Sequence, residues 1–184
     1  MKAVQSLNDY RTPKEFRGKS KYYTQLWWLV QGTLFALSPQ FLYGWRRFLL
    51  RSFGAKIGKE VLIRPTAKVT YPWKVSIGDY SWIGDEVVLY SLGEIHIGTN
   101  SVVSQRSYLC TGSHDYDSPS FPIYQKPIHV EDQCWLATDV FVYPGVHVKT
   151  GSVVGARSTL TQDTEPYGIY VGAPAKKIKK RKSE

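Results

Sequence analysis

The stretch LCTGSHDYDSPSF, residues 109–121, holds His114, one of four histidines in the chain. Imidazole titrates near neutrality, so a histidine on a loop suits a general base that takes the proton from an attacking hydroxyl. Asp115 and Asp117 follow it, and either carboxylate could orient the ring or stabilise the imidazolium. A backbone carbonyl could orient it equally well. By type alone, a loop histidine reads just as readily as a solvated polar residue, so the surrounding pattern has to decide. His96, His129 and His147 are expected at the surface, pointing into solvent. Cys110 and Cys134 are too few and too far apart for a disulfide framework or a zinc ribbon, and are expected as buried reduced thiols. No set of His, Cys, Asp or Glu has the spacing of metal ligands, so no metal is expected.

The elements that position His114 can be counted. Ile57, Ile63 and Val69 are six apart; after Val75 come Ile77, Ile83, Leu89 and Ile95; after a second two-residue slip come Ile97, Val103 and Leu109. The series resumes as Val130, Leu136, Val142, Val148, Val154 and Leu160. A helix would need a 3.6-residue period, and hairpins would need period-two strands with dedicated turn pairs. A hexad fits a parallel β-helix, a triangular coil in which each flat face takes one hexapeptide, the aliphatic residue points inward and a small residue after it allows a tight corner. The two-residue slips at Val75/Ile77 and Ile95/Ile97 are expected as widened corners. His114 then stands just past a completed hexad, at the start of an excursion over about 112–128.

The rest of the chain frames this core. With 184 residues and 42% hydrophobic content, one domain with a real core is expected. Residues 1–20 are polar and are expected as an extended or loosely docked arm without a signal-peptide pattern. From 22 to 53 the chain is rich in Leu, Phe and Trp and reads as two short helices split at Ser38-Pro39, too short to cross a bilayer. Two readings stay open for this segment: a helical pair packed on the domain or a neighbouring subunit, and an amphipathic element at a membrane interface. The domain boundaries expected are 1–53 for the arm and helical segment, 54–163 for the β-helix and 164–184 for a basic tail.

The net charge of +9 gathers at the ends, in Arg46, Arg47, Arg51 and Lys56 and then in KKIKKRK at 176–182. That distribution suits the phosphates of a small ligand or an anionic membrane surface. No motif of a nucleic-acid reader is present, and no nucleic-acid partner is expected.

The hexad array, TGSHDY, CWLATDVFVYPGV and VGAPAKKIKK together resemble the left-handed β-helix hexapeptide acyltransferases, most nearly the exopolysaccharide (colanic acid type) O-acetyltransferases. The resemblance covers about residues 45–181 and implies an all-β, left-handed parallel β-helix with a short N-terminal helical segment. It implies acetyl-CoA as cosubstrate, a saccharide acceptor and His114 as catalytic base. It assigns the coenzyme to Trp135, Ala137, Thr138, Ala156, Thr161, Gln162, Lys176 and Lys179, with the backbone of Ala137 and Ala156 pairing with the pantetheine amides. Gln162 departs from the lysine often found there. On the acceptor side, Gly84 and Leu92 replace an asparagine and an aspartate of the simple galactoside and maltose enzymes, which argues against those sugars; Asp85, Tyr90 and Tyr116 are the candidate replacements. The resemblance further implies a homotrimer with active sites between subunits and a cytoplasmic enzyme, with peripheral membrane contact through 22–53 as an open reading. N-acetylation of an amino sugar, O-acetylation of a small acceptor and a non-catalytic β-helix module are the competing readings.

Overall fold

A computed structural model describes residues 4–13 and 15–182. The hexads stack as expected, into a left-handed parallel β-helix with three flat faces. The first face carries Lys56–Ile57, Val75–Ile77, Ile95–Ile97, Ile128–Val130 and His147–Val148 in that order. The second runs from Leu62–Ile63 through Trp82–Ile83, Val102–Val103, Trp135–Leu136 and Val153–Val154 to Gly168–Val171. The third runs from Lys68–Val69 through Val88–Tyr90, Tyr108–Cys110 and Phe141–Val142 to Thr159–Leu160. Equivalent hexad residues pair in register: Ile63 with Ile83, Ile83 with Val103, Val103 with Leu136, Leu136 with Val154. All of these are buried in one core that runs the length of the prism.

The corners combine two devices. A small residue follows the inward aliphatic where the coils approach: a Cβ on Gly78 would lie 2.7 Å from the Gly98 carbonyl carbon, and one on Gly84 2.7 Å from the Gln105 nitrogen. Two residues further on, the chain turns through the left-handed region at non-glycine residues such as Glu60, Tyr80, Asn100, Arg106 and Asp139. The slips differ from expectation. Val75 and Ile77 both point inward from one three-residue strand, as do Ile95 and Ile97, and the extra length lies in strands whose corners are residues 70–74 and 91–94. His96 therefore sits mid-strand and not in a corner. It stacks on His129 at 4.7 Å, and His129 lies 5.4 Å from His147, so the three expected surface histidines form one column on the first face.

The first coil leaves its downward carbonyls without a strand to receive, and the helical segment supplies the donors. It comprises α1 (Lys21–Val30), a π-helical turn (Gln31–Phe35) and α2 (Tyr43–Ser52), broken around Pro39 as expected. Arg51 donates to Ile57 O on the first face, Arg46 to Ile63 O on the second at 2.6 Å, and Trp27 Nε1 to Val69 O on the third at 2.7 Å. Each face of the prism thus ends on a side chain that closes its edge. Arg46 is fully buried, and also donates to Ser38 Oγ, Pro39 O and Gln40 O. Arg47 holds Val61 O and pairs with Glu60. Three of the four early cations expected to meet phosphates are therefore engaged within the fold.

Two other segments are more ordered than their composition suggested. The arm docks: Phe16 is buried against Tyr71 and Leu92, Arg17 O accepts from Trp73 Nε1, and Ser6 N donates to Pro119 O in the excursion. The expected tail continues the second face, where Gly168–Val171 pairs antiparallel with Lys176–Lys180. Five exposed residues, KKIKK, make that last strand, a charged edge that discourages further strand addition.

Candidate functional site

The excursion is a small antiparallel ribbon, Gly112–His114 against Ile123–Gln125, which leaves the prism at Thr111 and rejoins where Lys126 N donates to Thr111 O. His114 ends its first strand. The ring Nδ1 lies 2.8 Å from Phe121 O, and because a carbonyl only accepts, the proton resides on Nδ1. In the neutral ring the lone pair then lies on Nε2, the form a general base requires. Phe121 also stacks on the imidazole, with centroids 4.2 Å apart and planes 7° off parallel. Its backbone holds φ at +48°, a conformation uncommon for a bulky residue, which aims this carbonyl at the ring. Of the three orienting groups left open, the backbone carbonyl is the one hydrogen-bonded to Nδ1, while Asp115 Oδ1 accepts from Asp117 N and closes a local turn. Asp115, Tyr116 and Asp117 instead line an open cleft beside His114, with Pro122, Tyr124 and Lys126.

A second concavity, about 670 Å³, runs along the second face and the corner that follows it. Its walls include Trp135 and Trp82, about half exposed, with Arg64, Gly84, Gln105 and, from the helical segment, Tyr43. Trp135 Nε1 donates to Ser104 Oγ at 2.9 Å, which anchors the indole to the neighbouring coil. From Trp135 the outward column continues through Val153 and Ile169 to Lys179. Three strand spacings make this track about 14 Å long, ending on a cation, a fit for an extended thioester carrier with phosphates at its far end.

The other coenzyme positions divide. Thr138 and exposed Ala156 lie at the corner beyond the same face, while Thr161 and Gln162 follow the third-face strand Thr159–Leu160, one face away. Ala137 does not offer its amide: its N–H donates to Val154 O and its carbonyl accepts from Ser107 Oγ at 2.7 Å. Lys176 begins the exposed edge strand, and its neighbour Lys177 pairs with Glu165.

No family model matches the chain. It is 57% identical over 178 residues to the colanic acid biosynthesis acetyltransferase WcaF of Escherichia coli (strain K12), covering 97% of this chain and 98% of that protein. The chain belongs to the WcaF-like hexapeptide-repeat acetyltransferases. Two solved structures share the fold. A maltose O-acetyltransferase from Clostridium difficile 630 superposes with a TM-score of 0.82 at 21% identity, covering 94% of this chain and 99% of its own. A hexapeptide-repeat acetyltransferase from Vibrio cholerae O1 biovar eltor, complexed with acetyl-coenzyme A, gives 0.80 at 24% identity over 89% of each chain.

In this WcaF-like enzyme the acceptor-side departures have physical reasons. Gly84 admits no side chain, since a Cβ would strike the next coil, and Leu92 is buried against Phe16 and Tyr71. The three candidate replacements are dispersed. Tyr116 is exposed in the His114 cleft; Asp85 sits by the other concavity, paired with Arg64 at 3.0 Å and accepting from Thr66 Oγ1; Tyr90 lies on the third face beside Tyr108. Burial raises the Tyr90 phenol and pushes Tyr108 up to about 12, so both stay protonated donors at neutral pH. Among the described residues no cluster of three or more His, Cys, Asp or Glu could hold a metal. Cys134 is buried, as expected, with its thiol pushed up to about 11; Cys110 is only half-buried, its thiol also raised by burial.

The residues missed in the sequence are Phe121 and Tyr10, whose ring lies 6.0 Å from His114. Tyr10 belongs to the arm, whose polar composition gave no sign that it docks near the ribbon. Phe121 follows Ser-Pro-Ser, which marks a turn but not the direction of its carbonyl.

Proposed function

We propose that this acetyltransferase moves the acetyl group of acetyl-CoA to a sugar hydroxyl during synthesis of a surface polysaccharide, by direct transfer in a ternary complex. The observation that carries the reading is the Nδ1 hydrogen bond of His114 to Phe121 O, which leaves Nε2 as the base. His114 takes the hydroxyl proton as the sugar oxygen forms its bond to the thioester carbonyl carbon. The C–S bond then breaks, and the departing thiolate takes the proton back, giving an ester and a free thiol. A backbone amide in the facing cleft stabilises the oxyanion. Trp135, Thr138, Ala156, Thr161, Gln162, Lys176 and Lys179 hold the coenzyme, and Asp85, Tyr90 and Tyr116 meet the acceptor. His114 and the Trp135 track stand on different parts of one chain. A homotrimer, with His114 of one subunit facing the track of the next, brings them together.

The WcaF name supports a glycan acceptor, and the acetyl-CoA complex of the Vibrio cholerae enzyme supports the donor. The enzyme works in the cytoplasm, with residues 22–53 at the inner face of the membrane. Mass spectrometry after incubation with acetyl-CoA and candidate glycans tests the chemistry. An acetyl ester supports it, an acetyl amide selects amino-sugar transfer, and undetectable acetyl-CoA binding overturns it.

A further inference from the structure

The helical segment has two apolar sides. One stripe, Thr24 and Trp27 on α1 and Gln31 at the start of the π-helical turn, with Arg46, Leu49 and Leu50 on α2, faces the first coil and closes it. The opposite side carries Tyr22, Leu26, Leu29, Leu37, Phe41 and Phe48, each half exposed or more. A helix apolar all round needs cover on both sides, and the prism covers only one. From 22 to 45 the chain has no charged residue, and from 16 to 59 it has eight cations and no Asp or Glu. Of these, Lys19, Lys21, Lys56 and Lys59 are exposed, the first two at the start of α1. An apolar surface whose neighbouring charges are mostly cations, with Glu15 and Glu60 just outside this window, complements an anionic bilayer, whose acyl boundary takes the Leu and Phe side chains while its headgroups meet the lysines. No helix among the described residues is long and apolar enough to cross a membrane.

We infer that the helical segment docks the enzyme on an anionic lipid bilayer, with the prism standing on end. This rests on the proposed transfer to a surface glycan and deepens it by naming the lipid chemistry and the orientation. The segment caps the first coil, so its outer side faces away from the prism along its axis. The concavity with Tyr43, Arg64 and Trp82 then opens within about two strand spacings, or 10 Å, of the lipid surface. The lysine edge strand stands at the far end. An acceptor sugar carried on a membrane lipid meets the enzyme at the near end.

Flotation of the full-length protein tests this with vesicles of phosphatidylcholine alone and with added phosphatidylglycerol. Acetyl-CoA binding is measured on the same samples. The native chain is expected to float with the anionic vesicles, and the triple variant Leu29→Gln, Leu37→Gln, Phe41→Gln to float at least about 10-fold less, with unchanged thermal unfolding and acetyl-CoA binding. Should the triple variant fail to fold, Lys19→Gln with Lys21→Gln, outside the packed core, is expected to weaken flotation in the same direction. Absent flotation of the native chain overturns the inference, as does equal flotation of folded variants. A change in oligomeric mass without a change in flotation also overturns it, by assigning the face to a second copy. Loss of acetyl-CoA binding with flotation intact would instead count against the transferase reading.

Discussion

Substituting His114 with alanine removes the proposed base, and kcat is expected to fall by ~100-fold or more, with the KM for acetyl-CoA little changed. Asp115→Asn is expected to leave kcat within about 3-fold, because its carboxylate serves the Asp117 turn and not the imidazole. Phe121→Ala keeps the carbonyl but removes the stacked ring, so kcat is expected to drop about 10-fold, with recovery in Phe121→Tyr. Steady-state kinetics on the three variants separates base, bystander and positioning residue. The sequence singled out His114 because the hexad count stops beside it. It left the choice between Asp115, Asp117 and a carbonyl open, since that choice depends on one left-handed φ at Phe121 that no residue type announces.

The helical cap and the histidine column govern stability. Arg46→Met would leave Ile63 O and its neighbours buried without a donor, and urea unfolding is expected to show a loss of about 3 kcal/mol. On the first face, burial, and then the adjacent imidazoles His96 and His147, hold His129 below its ordinary 6.5. The unfolded chain therefore binds a proton at a pH where the native chain does not. This contribution to stability is fully present above about 6.5 and is lost as the pH falls below it. Thermal melts from neutral pH downward should show the loss, and His129→Gln should flatten the profile. The hexad register was readable residue by residue, because inward positions must be aliphatic. The corners were less so, because left-handed turns at Glu60, Tyr80 and Arg106 use residues with no preference for that conformation. The cap was readable as helices, but its three edge-closing donors depend on where the segment lands on the first coil.

At the scale of the whole molecule, the prism holds His114 on a ribbon at one place and the Trp135 track on a face at another, and the three-fold assembly we propose would join them across subunits. Sedimentation is expected to give three times the 21.0 kDa chain mass. Mixing His114→Ala chains with chains carrying Trp135→Ala should restore part of the activity that each variant lacks alone, since some interfaces in the mixed trimers pair an intact base with an intact track. The β-helix itself could be read from the sequence because its period is a local property. The docked arm and the strand-forming tail were not, because they are held by a few backbone contacts, such as Ser6 N to Pro119 O, that composition does not encode. The most direct test is acetyl transfer by the purified native enzyme and by His114→Ala, from acetyl-CoA to the glycan repeat, read by mass spectrometry. An acetyl ester formed by the native chain and reduced to background in the variant is the predicted result; full ester formation by His114→Ala would contradict the account.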